Sequence, residues 1–152
     1  MGAKQYSIGT DIEYVKNEGY PPLRISGKKI TVDSVELAPN VSSQYITSLM
    51  LIAPNLPKGL TIRLVGEITS IPYINMTCSL LQKVGVQAKF EGQTIQVFPQ
   101  DKIATKTVEV ESDWSSASYH FSMAALADNA QISIKNYVSD SLQGDSVLVE
   151  IY

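Results

Sequence analysis

Three polar side chains stand directly before an apolar run in the first half of the chain. Ser42, Ser43 and Gln44 precede residues 46–53, which are mostly apolar and end at Pro54. Hydroxyl groups at the start of a helix lie beside free backbone N–H groups and the positive end of the helix dipole. This pattern therefore predicts a helix whose first turn could hold an anion such as a phosphate.

A second set of candidate residues surrounds this helix start. Ser70 precedes Pro72, which is tolerated in the first turn of a helix, so a second helix is predicted to begin here. Tyr73 could offer its ring face to a cyclic ligand, and Arg24 could bind a carboxylate or phosphate through two hydrogen bonds. If both helices follow strands of one open sheet, their starts meet at the edge where such sheets bind ligands.

A plainer interpretation explains the same residues without a ligand. Serine is common at helix starts because its hydroxyl caps the helix. Tyr73 could fill the core, and Arg24 could be a solvated surface charge. Spacing alone leaves both interpretations open.

Composition narrows the class of protein. The chain has 152 residues, of which 44% are hydrophobic and 18% charged, as expected for one globular domain or a domain plus part of another. The net charge of -3 argues against nucleic-acid binding through a basic surface. The single cysteine, Cys78, excludes an internal disulfide and a cysteine-cluster metal site. No phosphate-binding or dinucleotide glycine motif is present, so no cofactor and no metal are expected.

Targeting signals are not evident. No apolar run reaches the roughly 18 residues of a membrane span. Residues 1–10 do not have the apolar core of a signal peptide. A cytoplasmic protein without a membrane partner is therefore the expectation.

Hydrophobic periodicity predicts an α/β chain. A helix over residues 42–53 is apolar on most sides, which predicts burial on more than one face. A second helix, from residue 70, ends before Gly85, and Gly92 lies in a hairpin turn. Strands are predicted over residues 11–15, 23–25, 29–33, 60–65, 86–90 and 94–98.

The pattern then restarts. A strand over residues 107–110, a helix over 113–126, a strand over 131–134 and a helix from 143 repeat the earlier order. Ser42 and Ser115 are 73 residues apart, as are Ser70 and Gln143, which indicates an internal repeat. We expect lead-in strands and a loop at 1–28, a complete βαβαββ unit at 29–98 and a partial second unit at 99–152. The unfinished second unit suggests a piece of a longer protein.

At this point the motifs resemble a known family, 5-enolpyruvylshikimate-3-phosphate synthase, over residues 11–152. The resemblance implies an inside-out α/β barrel built from repeated βαβαββ units, within a larger two-domain enzyme. Five motifs occur in the family's order: residues 19–24 (Gly-Tyr-Pro-Pro-Leu-Arg), 41–45 (Val-Ser-Ser-Gln-Tyr), 70–74 (Ser-Ile-Pro-Tyr-Ile), 113–119 (Asp-Trp-Ser-Ser-Ala-Ser-Tyr) and 141–145 (Ser-Leu-Gln-Gly-Asp).

The resemblance also implies a reaction and roles for residues. The family transfers the enolpyruvyl group of phosphoenolpyruvate to the 5-hydroxyl of shikimate 3-phosphate and releases phosphate, in the chorismate pathway to aromatic amino acids. By resemblance, Gln44 lies near both substrates and Arg24 binds phosphoenolpyruvate. Shikimate 3-phosphate is bound, by the same resemblance, by Ser42, Ser43, Gln44, Ser70 and Tyr73.

The sequence also departs from the family. Ile71 stands where the family often has lysine, and Ser112-Asp113-Trp114 stands where it often has Gly-Asp-Ala. The family's N-terminal Lys-Ser and Arg residues and the acid, base and anion-binding residues of its second domain have no counterpart here. No catalytic residue is therefore assigned in this chain, and the isolated chain is expected to be inactive, with the remaining domain as its partner. A UDP-N-acetylglucosamine enolpyruvyl transferase relative and a non-catalytic binding module with the same fold are the alternatives.

Overall fold

The computed structural model describes residues 10–38, 42–69 and 71–152, and it shows a mixed α/β chain, as predicted. Its strands are β1 (Thr10–Tyr14), β2 (Leu23–Gly27), β3 (Ser34–Leu37), β4 (Leu60–Leu64), β5 (Ala88–Glu91) and β6 (Thr94–Val97). Its α-helices are α1 (Ser43–Ile52), α2 (Ile71–Lys83), α3 (Trp114–Leu126) and α4 (Leu148–Ile151).

Two sheets organise the strands. β1 and β2 form an antiparallel ribbon of their own, which confirms the two strands predicted near residues 11–15 and 23–25. The second sheet has the order β3-β4-β6-β5, in which β3 and β4 are parallel and the other pairs antiparallel. From β3 to β6 the chain runs strand, helix, strand, helix, strand, strand.

The third predicted strand is wrong in position. It was expected over residues 29–33, but the structure forms β3 at Ser34–Leu37. Both stretches contain alternating residues, so periodicity could not choose between them. Pairing decides: Val35 and Leu37 lie opposite Ile62 and Leu64 in the parallel register.

Helices α1 and α2 cover one face of the four-stranded sheet. β4 alternates, with Leu60, Ile62 and Leu64 buried and Arg63 exposed, as expected for a strand with one covered face. The strongest burial follows this face: Ile46, Met50, Leu60, Ile62, Leu64, Ile74, Val86, Ile95 and Val97 are all at most 1% exposed.

The predicted helix over residues 42–53 forms, but its predicted burial on several faces is wrong. Ile46 and Met50 are fully buried. Tyr45, Leu51 and Ile52 are 51%, 55% and 40% exposed. Within the part of the chain that the structure describes, the sheet and α2 cover only one side of α1, so hydrophobic composition overstated its burial.

Glycines end the elements where the sequence predicted. Gly85 has φ +93°, and the Val86 N–H donates to the Leu81 carbonyl at 2.9 Å while the Gly85 N–H donates to that of Gln82. These two bonds form a Schellman motif that satisfies the last carbonyls of α2. Gly92, with φ +59°, opens the tight turn between β5 and β6.

The second half of the chain is less regular than predicted. α3 confirms the helix predicted over residues 113–126. The helix predicted from residue 143 forms as a short 3-10 helix, Gly144–Val147, that leads into α4. The strands predicted over 107–110 and 131–134 do not form. Just after these stretches, the Ser112 N–H donates to the Asn136 carbonyl at 2.7 Å. β4 is held between β3 and β6, whereas the described part of residues 107–152 contains no hairpin that could hold residues 131–134 in the same way.

Candidate functional site

The start of α1 is capped by its own serine. Ser42 has non-helical backbone angles, φ -52° and ψ 134°, and its hydroxyl oxygen accepts a hydrogen bond from the Gln44 N–H at 3.4 Å. Ser43, the first residue of the helix, is half-buried, while Ser42 and Gln44 are exposed. The capping role of Ser42 is confirmed, and all three side chains stand at the first turn of the helix.

The start of α2 presents Tyr73 outward. Its neighbour Ile74 is 1% exposed and packs into the core, whereas Tyr73 is 51% exposed. The alternative in which Tyr73 fills the core is therefore wrong. Ser70 and Val41 lie outside the described residues, so the structure says nothing of their predicted parts in the site.

The two helix starts are neighbours. β3 and β4 are parallel and each is followed by a helix, so α1 and α2 begin at the same edge of the sheet. The Thr47 and Thr77 hydroxyl oxygens lie 3.4 Å apart between the helices. Each threonine follows Ser43 or Tyr73 by four residues, or about 6 Å of helix rise. The structure thus brings Ser43 and Tyr73 onto adjacent first turns.

Arg24 is not on the sheet whose strands lead into these helices. It belongs to the separate β1–β2 ribbon, in register with Glu13, and its guanidinium is 3.5 Å from the Glu13 carboxylate. The two side chains are 70% and 66% exposed, so their ion pair contributes little to stability. Among the described residues, the ion pair of Arg24 is with Glu13, and no hydrogen bond joins Arg24 to Tyr73.

Sequence reasoning missed a cleft of about 840 Å³ between α2 and the second half of the chain. Tyr73 and Met76 line its α2 side, and Val110 and Asp113 line the facing side. Gly144 also lines it; a Cβ on Gly144 would meet the Pro72 Cβ at 3.1 Å, so Pro72 and this backbone are in close contact. The volume suits a small-molecule ligand, and the exposed face of Tyr73 belongs to its wall.

The backbone N–H groups at the start of α3 already donate to side chains of this protein. The Asp113 carboxylate accepts from the Ser115 N–H at 2.9 Å, and the Gln143 side-chain oxygen accepts from the Trp114 N–H at 2.9 Å. The Ser115 hydroxyl donates to the Asp145 carboxylate at 2.6 Å. Because carboxylate and amide groups already occupy this first turn, it differs from the start of α1. Two sequence signals had pointed to Gln143: its spacing of 73 residues from Ser70 and its place in the motif of residues 141–145.

Comparison with known proteins shows which family the chain belongs to. The family model described as EPSP synthase (3-phosphoshikimate 1-carboxyvinyltransferase) matches residues 6–152. The chain belongs to the EPSP synthase family. The family expected from the five motifs is therefore confirmed.

Curated relatives show how much of the EPSP synthase family's length the chain spans. A 3-phosphoshikimate 1-carboxyvinyltransferase of Bacteroides fragilis is 47% identical over 146 residues, covering 95% of this chain and 35% of the relative. One of Aliivibrio fischeri is 37% identical over 143 residues, covering 91% and 33%. One of Haemophilus influenzae is 36% identical over 147 residues, covering 94% and 33%. The chain spans about a third of the length of these relatives.

Metal ligands, membrane spans and the single cysteine of this EPSP synthase family chain can be considered together. Among the described residues, no group of three or more His, Cys, Asp or Glu side chains could hold a metal ion. None of the helices in the described ranges is both long and apolar enough to cross a membrane. Cys78 is buried in α2, and desolvation raises the pKa of its thiol, so it is a small core side chain.

A carboxylate beneath α3 is held in its charged form. Burial raises the pKa of Glu111, but the hydrogen bond from Ser141 and the nearby polar groups of Gln143 and Trp114 outweigh it and hold the pKa below its ordinary value. The Ser141 hydroxyl donates to one Glu111 oxygen at 2.6 Å. The other Glu111 oxygen and the Trp114 indole nitrogen are shielded from solvent without a well-formed hydrogen bond in the described part of the chain. The charged carboxylate thus helps to fix the start of α3.

The lowered pKa of Glu111 should make the stability of the fold depend on pH. Because the folded-state pKa of Glu111 is depressed, its contribution is present above the unfolded-state value, about 4.3, and is lost as pH falls through the lower folded-state value. We expect the urea midpoint to fall more steeply in the wild type than in Glu111→Gln between about pH 6 and pH 3. Trp114 fluorescence reports unfolding, since Trp114 is the only tryptophan. Parallel pH curves for the two proteins would contradict this role of Glu111.

Proposed function

We propose that this chain is the shikimate 3-phosphate-binding part of an EPSP synthase. The parent enzyme would transfer the enolpyruvyl group of phosphoenolpyruvate to the 5-hydroxyl of shikimate 3-phosphate and release phosphate. One observation carries the proposal: the starts of α1 and α2 stand side by side, with Ser42, Ser43 and Gln44 on one and Tyr73 on the other.

The chemistry of this edge suits a phosphorylated ring. Two adjacent helix N-termini direct N–H groups and positive dipole ends toward one place, which stabilises a dianion. The Ser42 and Ser43 hydroxyls can donate to phosphate oxygens, and Gln44 is exposed beside them. Tyr73 is half-exposed at the cleft, where its ring can pack against the face of the shikimate. Ser70 completes the proposed set by resemblance.

Arg24 is proposed to bind phosphoenolpyruvate. To do so its guanidinium would exchange the Glu13 carboxylate for that of the substrate. The existing pair is exposed on both sides, so this exchange costs little. Gln44 is proposed to lie between the two substrates.

The larger organisation is proposed with the function. Residues 1–28 would be a lead-in, 29–98 a complete βαβαββ unit and 99–152 a partial second unit of an inside-out α/β barrel. The element order from β3 to β6 supports the first unit. The rest of the parent enzyme would supply the acid and base, in the cytoplasm and without a cofactor. The isolated chain is then expected to release no phosphate in a coupled assay with both substrates.

Binding variants test the proposed site. We expect Ser43→Ala to weaken binding of shikimate 3-phosphate to this chain by about tenfold or more, since a hydrogen bond to a charged group is lost. The matched control is Ser116→Ala, because Ser116 is the exposed counterpart of Ser43 in the repeat and lies on α3. Dissociation constants from NMR titration give the comparison.

Two outcomes would count against the proposal. One is the absence of binding to the wild-type chain at millimolar ligand. The other is an equal loss of affinity in Ser43→Ala and Ser116→Ala, which would place the ligand elsewhere. Two competitors test the specificity of the site. Inorganic phosphate shows how much of the affinity comes from the phosphate alone, and UDP-N-acetylglucosamine shows whether a sugar nucleotide is preferred to shikimate 3-phosphate.

A further inference from the structure

One polar residue is buried between the two helices that carry the proposed site. Thr77, on α2, is 4% exposed and is the only polar residue in the buried core of the described chain. The other buried side chains of the two helices are apolar: for example, Ile46 and Met50 of α1 and Ile74 of α2 are at most 1% exposed. A hydroxyl in such a place must be hydrogen-bonded, because burying it alone is costly.

The hydrogen bonds of Thr77 have a definite direction. Its hydroxyl donates to the Tyr73 carbonyl, one turn earlier, at 2.8 Å. A hydroxyl has one proton to donate and can still accept. In the 3.4 Å contact with Thr47, the Thr47 hydroxyl is therefore the donor and Thr77 the acceptor. The result is a relay from α1, through Thr77, to the backbone of Tyr73.

The contact between Thr77 and Thr47 is not needed to satisfy the buried Thr77 hydroxyl. Bonding to the carbonyl four residues earlier is common for threonine in helices and already satisfies the Thr77 proton. The bond from half-buried Thr47 is additional and crosses between helices. In the repeat, Thr47 and Thr77 correspond to His120 and Glu150, so the second unit does not have this pair. The pair is thus not needed by the repeated unit itself.

We propose that Thr47 and Thr77 are positioning residues for substrate. The relay would fix the spacing of the first turns of α1 and α2, and with it the placement of the Tyr73 ring relative to Ser43. Neither threonine need touch the ligand. This inference rests on the proposed binding of shikimate 3-phosphate at these helix starts.

Isosteric variants separate positioning from packing. Thr47→Val keeps the volume and removes the hydroxyl, whereas Thr47→Ser keeps the hydroxyl. The control is Thr61→Val, because Thr61 is also half-buried but lies on β4, outside both helices. We expect Thr47→Val to raise the dissociation constant for shikimate 3-phosphate by about threefold to tenfold. Thr47→Ser and Thr61→Val should bind as the wild type does.

Two readouts would not follow from a merely structural role. The double variant Thr47→Val/Thr77→Val should bind no more weakly than Thr77→Val alone, because both changes break one relay. Without ligand, Thr47→Val should shift the NMR signals of the Tyr73 carbonyl and the Ile74 amide on the other helix, while the urea midpoint stays near that of the wild type.

The outcomes distinguish this inference from the proposed function. If Ser43→Ala weakens binding and Thr47→Val does not, the relay has no positioning role and the proposed function stands. Additive losses in the double variant would also overturn the relay. If the wild-type chain fails to bind shikimate 3-phosphate, the proposed function fails and this inference fails with it.

Discussion

Replacing Ile62 by Ala is expected to lower the free energy of unfolding by about 2–5 kcal/mol. Ile62 is fully buried in the middle of β4, which pairs with β3 on one side and β6 on the other. Helices α1 and α2 cover this face, so the surrounding atoms can relax only partly into the space that the side chain leaves. Urea unfolding followed by circular dichroism measures the change.

The neighbouring position gives the matched control. Arg63 follows Ile62 on β4 but points to the exposed face. Arg63→Ala should change the free energy of unfolding by about 0.5 kcal/mol or less. Equal effects at the two positions would mean that the helices do not cover the β4 face described here.

Gly59→Ala is expected to cost about 2 kcal/mol or more, for two separate reasons. Gly59 has φ +69°, a conformation that side-chain-bearing residues adopt at a cost. A Cβ here would also clash with the Val97 carbonyl oxygen and approach Pro99. The turn before β4 therefore tolerates only glycine without a shift of β6, and the urea midpoint should fall accordingly.

Gly92 separates the two causes. It has a similar φ of +59°, but no atom lies within 4 Å of a Cβ built on it. Gly92→Ala should therefore show only the conformational cost, about 1 kcal/mol. If Gly59→Ala were no more destabilising than Gly92→Ala, the close approach of the β4 turn to β6 would be contradicted.

Local signals predicted much of the structure of residues 29–98. Ser42 as a cap, Gly85 as a helix end and Gly92 in a hairpin turn each act through neighbouring backbone, so the sequence contains the whole cause. The position of β3 depended instead on the parallel register with Ile62 and Leu64. That choice involves residues far apart in sequence, which alternation does not record.

Residues 99–152 show the same limit of local sequence signals. Residues 107–110 and 131–134 have the composition of strands but not the paired neighbours that make a ladder. α3 forms because its cap, Asp113, and its internal hydrogen bonds are local. Strands depend on partners, and helices largely do not.

The sequence indicated candidate residues for the site but not their surroundings. Helix-start chemistry pointed to Ser42, Ser43, Gln44 and Tyr73, and parallel strands brought their helices together. The exposure of Tyr73 could not be deduced, because periodicity does not say which side of α2 is covered. The cleft and the closed start of α3 arise from contacts of Pro72 and Gln143 across the chain, which no spacing encodes.

An NMR map of backbone amide shifts in this chain, recorded as shikimate 3-phosphate is added, would locate the binding site. We expect saturable shifts at Ser42–Gln44 and around Tyr73, where two helix starts meet. We expect little change at Trp114 and Ser115, whose N–H groups are already bonded to Gln143 and Asp113. Shifts confined to the start of α3, or no saturable shifts at millimolar ligand, would contradict the proposed site.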